Sequence, residues 1–139
     1  MKTLAQQLSV LLLVFSCSLP PLKNNADIRF KVQEHDYGKI PLKEEIEYRF
    51  EFSNPGKTPL VINDVKTSCG CTIPEWPKEP VKPGNKGEIK VKYDATFPGA
   101  FNKPITVYFN GKGSPVRLSI KGQVGHPAKK KMNEGKKVG

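Results

Sequence analysis

Cys69 and Cys71, separated only by Gly70, are the residues whose type and spacing could do chemistry; they sit in Thr67-Ser68-Cys69-Gly70-Cys71-Thr72. In an extended strand, residues i and i+2 share a face with Cα atoms about 6.6 Å apart, at the far end of the disulfide range. A bond between the two sulfurs therefore needs a turn at Gly70, which glycine permits at positive φ. Three readings stay open. The pair is structural, either as two buried thiols or as a local disulfide at a sheet corner. Alternatively, a disulfide in so small a ring exchanges with other thiols, with Lys66 favouring a thiolate. In the third reading the two thiolates hold a soft metal. Two ligands are too few for a closed zinc site, so Cu(I) is the better match. A third ligand would have to be His35, His126 or Met132, all distant in sequence.

The remaining candidates are weaker. His35 beside Asp36 reads as a solvated loop histidine, and His126 as a tail residue. Trp76 is either an exposed partner-binding anchor or a cap over the sandwich end beside the cysteines. The sequence carries no nucleophile–base–acid set, no glycine-rich phosphate loop and no HExxH motif. A non-enzymatic role with no small-molecule substrate is the expectation.

The elements that must position these residues read as strands. Ile28, Phe30 and Val32 alternate with Arg29 and Lys31, and a turn is expected over Tyr37-Gly38-Lys39-Ile40-Pro41. Ile46, Tyr48, Phe50 and Phe52 then alternate with Glu45, Glu47, Arg49 and Glu51, the pattern of a strand buried on one face. After the turn at Asn54-Pro55-Gly56-Lys57, a third strand is expected from Pro59 to Val65. Pro74, Pro77, Pro80 and Pro83 make the next stretch a connection or a sheet edge. Ile89, Val91 and Tyr93 form another alternating run, and Phe97 to Phe101 a break. Ile105, Val107 and Phe109 are expected to pair with Val116, Leu118 and Ile120 across Asn110-Gly111-Lys112-Gly113. Nothing has helical spacing. About seven short strands over residues 27–124 give an all-β, immunoglobulin-like sandwich of antiparallel strands, without the antibody-type pair of core cysteines around a tryptophan.

The N-terminus reads as an export signal over residues 1–16. Lys2 precedes the apolar run from Leu8 to Phe15, which is too short to span a bilayer. Val14-Phe15-Ser16-Cys17 is similar to a bacterial lipobox, though Phe15 stands where a small residue is usual. On this reading Cys17 is lipidated, residues 17–26 form a tether, and the membrane contact is that anchor. The alternative is ordinary cleavage nearby. Either places the protein outside the cytoplasm, in the periplasm or on the outer membrane. Of the net charge of +10, residues 125–139, a basic tail expected to be disordered, carry +4, with Lys129, Lys130, Lys131, Lys136 and Lys137 against Glu134, and most of the rest is spread over strand faces. No aromatic–basic stripe accompanies the charge, which argues against nucleic acid as a partner.

Several short pieces then combine in order: Tyr37-Gly38-Lys39-Ile40, Phe50-Glu51-Phe52-Ser53-Asn54-Pro55-Gly56, Ser68-Cys69-Gly70-Cys71-Thr72, Pro83-Gly84 to Gly87, Gly99-Ala100-Phe101-Asn102-Lys103 and Ile120-Lys121-Gly122. With this order and spacing the chain resembles the bacterial envelope family called domain of unknown function 1573. The resemblance implies a fold similar to domains of pilus chaperones and of motile-sperm and cilium-associated proteins, which mostly bind other proteins. It brings no established enzymatic activity. An envelope protein partner of unknown identity is the expectation that follows.

Overall fold

The structure, a computed structural model, describes residues 25–125. The signal segment, Cys17, most of the tether, His126, Met132 and the lysine-rich tail lie outside the described residues.

The described chain is all strand and loop. In order the strands are β1 (Arg29–Phe30), β2 (Glu34–Ile40), β3 (Glu45–Ser53), β4 (Ile62–Thr67), β5 (Thr72–Glu75), β6 (Lys86–Asp94), β7 (Gly99–Phe109) and β8 (Val116–Val124). They form two four-stranded sheets, ordered β1-β3-β6-β5 and β2-β8-β7-β4. Phe50, Ile89 and Val91 from the first sheet are fully buried, as are Ile105, Val107 and Ile120 from the second. The alternation in β3 has a direct cause: its apolar side chains enter this core while Glu45, Glu47, Arg49 and Glu51 stand in solvent. The solvent face of the first sheet is laced by ion pairs, Arg49 with Glu88 at 2.7 Å and Lys90 with Glu75 at 3.2 Å among them. Exposed pairs of this kind add little stability. They do leave that face close to neutral.

The β7–β8 hairpin has the expected pairing, with Ile105 opposite Leu118 and Val107 opposite Val116. Three local expectations are corrected. Tyr37 to Ile40 is not a turn but the second half of β2, which runs parallel to β8. Gly38, at φ 65°, supplies only a bulge that shifts the register between Asp36 and Lys39. The run through Ile28, Phe30 and Val32 is not one strand. β1 ends at Phe30, Val32 is 41% exposed, and the chain crosses there from the first sheet to the second. The third strand also starts later than expected: Leu60 makes only an isolated bridge to Val81, and β4 begins at Ile62.

The turn after β3 is fastened by Asn54, a fully buried polar side chain. Its Nδ2 donates to the carbonyls of Thr58 and Val81, each at 2.9 Å, and its Oδ1 accepts from the Gly56 amide at 2.9 Å. Every hydrogen-bonding atom of the amide that faces protein is occupied, which is the condition for burying it cheaply.

Candidate functional site

The cysteine stretch lies where the chain leaves one sheet for the other. β4 is the last strand of the second sheet and β5 the last of the first, so residues 68–71 turn the corner at one side of the sandwich. Cys69 and Cys71 are joined by a disulfide, with Cα atoms 5.3 Å apart. Gly70 does make the turn, but not at positive φ, the conformation expected from the sequence. A Cβ there would meet nothing within 4 Å. The corner therefore does not require glycine sterically. Apart from its two cysteine neighbours, a side chain at Gly70 would stand in open space.

The backbone of the corner has its own supports. The Thr72 amide donates to the Cys69 carbonyl at 3.3 Å, and the Asp94 amide to the Cys71 carbonyl at 3.0 Å. The Thr67 hydroxyl lies 3.2 Å from the Cys69 carbonyl and 3.0 Å from that of Thr72, a donor shared between two acceptors. The two cysteines differ in surroundings. The Cys69 sulfur sits 3.6 Å from the hydroxyl of Thr72, a residue only 2% exposed. Cys71 packs against the apolar core. Thr72 is the corner residue that the sequence reading did not single out. Its signal was present, a threonine directly after the second cysteine.

The other candidates do not converge on this corner. Lys66 is on the outer face of the second sheet, 4.0 Å from Asp64 and 5.3 Å from the centroid of the Tyr108 ring. His35 is on β2, at the opposite edge of that sheet from β4. Three strand spacings, about 14 Å, separate those edges, so His35 is not a third ligand for a metal on the two sulfurs. Among the described residues no three His, Cys, Asp or Glu side chains cluster as a metal site. In the disulfide form the sulfurs offer no thiolates, so Cu(I) would need the reduced pair and ligands from elsewhere.

His35 is not a solvated loop residue. Its ring stacks on Tyr48 at 3.6 Å between centroids and meets Tyr37 edge-on at 4.5 Å, which ties β2 of one sheet to β3 of the other. Burial lowers its pKa, and the neighbouring Asp36 carboxylate opposes the shift. Burial also pushes the Tyr37 phenol up to about 12, with the charges of Tyr48 and Glu47 adding to it. The Tyr37 hydroxyl is buried without a hydrogen-bond partner among the described residues. Trp76 follows the end of β5 remote from Cys71. It is half-buried against the core, and the Lys78 ammonium covers its ring at 3.3 Å. With Glu75, Pro77, Glu88 and Lys90 it lines a shallow depression. It is thus neither fully exposed nor a lid over the disulfide.

Fold and corner together define a small immunoglobulin-like sandwich module closed on one side by a disulfide-bonded sheet switch. The chain belongs to the family of proteins of unknown function designated DUF1573, whose model matches residues 28–124. No curated protein matches the sequence. Among solved structures it is similar to a protein of unknown function from Porphyromonas gingivalis W83, with a TM-score of 0.65 and 18% identity over 73% of this chain and 48% of that one. It is also similar to the VesB protease of Vibrio cholerae, with a TM-score of 0.55 and 16% identity over 74% of this chain and 32% of that one. The PapD-like domain 7 of human CEP192 gives a TM-score of 0.63 and 10% identity over 80% of this chain and 94% of that domain. The chain thus spans about half of the Porphyromonas protein and about a third of VesB. At these identities the likeness is one of fold.

Proposed function

We propose that this protein is a binding module of the bacterial envelope, non-enzymatic in how it holds its partner. It is exported, held to the membrane by lipid on Cys17, and takes up an extended segment of a partner protein along a free strand edge. The observation that carries the reading is the edge of β3. On one side β3 pairs with β6 over its whole length, from Glu45 to Ser53. On the other, among the described residues, β1 covers only Phe52 and Ser53, and the Lys31 amide reaches the Glu51 carbonyl. Strand alternation then directs the N–H and C=O groups of Glu45, Glu47 and Arg49 to the uncovered side. An extended peptide can pair there and lengthen the sheet.

The other outer strands are blunted. β5 contains Pro74, β2 bulges at Gly38, and β4 shifts register between Ile62 and Asp64. β3 stays in regular register throughout. The PapD-like likeness agrees with a binding role at the level of fold.

Two substitutions test the reading. Glu47→Pro removes the free-edge N–H and leaves the ladder to β6 intact, whereas Glu47→Lys changes only the side chain. Chemical crosslinking in intact cells should recover a partner with the parent protein and with Glu47→Lys, and lose it with Glu47→Pro. Equal recovery from all three sinks the edge. For the anchor, Cys17→Ala should move the protein out of the membrane fraction; unchanged retention counts against lipidation.

A further inference from the structure

We propose that the Cys69–Cys71 corner is a site of reversible thiol–disulfide exchange. Cys69 is the reacting sulfur and a disulfide of another protein is the substrate. This stands apart from the strand-edge reading, and neither depends on the other.

Three observations carry it. First, the bond closes a loop over a single residue. A disulfide stabilises chiefly by restricting the unfolded chain, and that effect is smallest for the shortest loops. The Thr67 hydroxyl and the Thr72 and Asp94 amides hold the corner independently of the sulfurs. Opening the bond therefore leaves two thiols side by side in an intact frame. Second, the corner is accessible. It lies at the side of the sandwich, both cysteines are half-buried, and Gly70 is exposed with open space where a side chain would stand. Third, the sulfurs are unequal in the way exchange requires. The buried Thr72 hydroxyl can donate to the Cys69 sulfur, and a hydrogen bond to a thiolate lowers its pKa. Cys71 packs against the core, where charge is disfavoured.

The step follows from that asymmetry. In the reduced protein the Cys69 thiolate attacks one sulfur of the partner's disulfide. A Cys69–partner disulfide forms, the partner's own S–S bond breaks, and one partner sulfur leaves as thiolate. Cys71 then gives its proton to solvent and attacks the Cys69 sulfur. The Cys69–Cys71 bond re-forms and the second partner thiolate leaves. The partner gains two electrons and the cysteine pair loses two. A dithiol reductant then returns two electrons to the Cys69–Cys71 bond, becomes a disulfide itself and resets the pair.

The experiment uses the full chain. In mixtures of reduced and oxidised glutathione the pair should titrate reversibly with the sandwich still folded. In the reduced protein, alkylation by iodoacetamide followed across pH should show Cys69 reacting at lower pH than Cys71. Thr72→Val should slow Cys69 alkylation at neutral pH by about tenfold, the effect of losing one hydrogen bond to a charged group. Cys71 should be unaffected. A pair that excess dithiothreitol leaves unreduced in the folded protein overturns the proposal. So does a Cys69 profile that equals that of Cys71 and does not move in Thr72→Val. If Thr72→Val does not fold, Cys71→Ser decides the matter. It should trap a stable mixed disulfide with oxidised glutathione on Cys69, faster than Cys69→Ser traps one on Cys71. Equal trapping rates reject the assignment.

Discussion

The ring of Phe52 lies across Gly87, its directly opposite neighbour on β6. A Cβ on Gly87 would stand 2.5 Å from the end of that ring, which is itself only 2% exposed. Phe101 and Gly122 repeat the arrangement in the second sheet, where a Cβ would come within 2.8 Å of the Phe101 ring and 3.0 Å of the Gly38 carbonyl. Two pieces of sequence far apart in the chain, Phe50-Glu51-Phe52 and Pro83 to Gly87, are therefore one packing unit. Gly87→Ala should destabilise by about 1–3 kcal/mol through overpacking. Chemical denaturation measures it, and pairing with Phe52→Leu should recover part of the loss. An additive double mutant would show that the ring is not what the new methyl meets.

Asn54 should be among the least replaceable polar residues. Asn54→Ala takes a donor from the Thr58 and Val81 carbonyls and the acceptor from the Gly56 amide, while the Val81 carbonyl keeps its bond from the Leu60 amide at 2.8 Å. At about 0.5–1.5 kcal/mol for each hydrogen bond lost, the midpoint of unfolding should be clearly lowered. Asn54→Asp tests the donors separately, since a carboxylate facing two carbonyls should be worse at neutral pH than in mild acid. Near-parental stability of either variant contradicts this account of the turn.

The disulfide should matter little to stability. Cys69→Ser with Cys71→Ser should cost about 1.5 kcal/mol by the loop-closure argument, and the sandwich should remain folded. Thermal unfolding of parent and variant under the same conditions gives the comparison. A loss of several times that size would make the corner a structural staple.

His35 should give stability a pH dependence of definite sign. Its pKa is lowered in the folded state, chiefly by burial. The unfolded chain then takes up the proton more readily. The contribution is complete above the ordinary histidine pKa of about 6.5 and is lost as pH falls through the folded value. Denaturation midpoints between neutral pH and mild acid should fall, and His35→Phe should flatten that slope. The carboxylate of Glu34, lowered by its hydrogen bond to Lys121, acts at more acid pH and so leaves the window distinct. An unchanged slope in His35→Phe assigns the dependence elsewhere.

The Tyr37 hydroxyl offers a change in the opposite direction. It is buried without a hydrogen-bond partner among the described residues. Tyr37→Phe removes a desolvated polar group and keeps the ring against His35, so stability should hold or rise by about 1 kcal/mol. A clear loss would reveal a partner for that hydroxyl.

Much of this fold was legible where one strand face meets water. The charges of β3 alternate with its core residues, and the β7–β8 hairpin is a local pairing set by its own loop. β2 was less legible because its partner, β8, lies some eighty residues further along, and Gly38 with Pro41 imitates a turn. Even so, the signal was there. His35 and Tyr37 point inward while Glu34 and Asp36 stay outside, but a polar histidine does not read as a core residue. At the corner, spacing alone established that a bond needed a turn. It could not show that Gly70 would turn without positive φ, nor that Thr72 would set its hydroxyl against one sulfur. Both depend on how β4 hands the chain to β5. The free edge of β3 was invisible, because it exists only where β1 stops.

A photo-crosslinking side chain placed at Glu45 in intact cells reads the occupancy of that edge. A discrete adduct with one partner protein should form from position 45, none from the outer-face position Tyr108, and the adduct should be lost when Glu47→Pro is added. No adduct at position 45, or one that persists undiminished with proline at position 47, would contradict pairing at that edge.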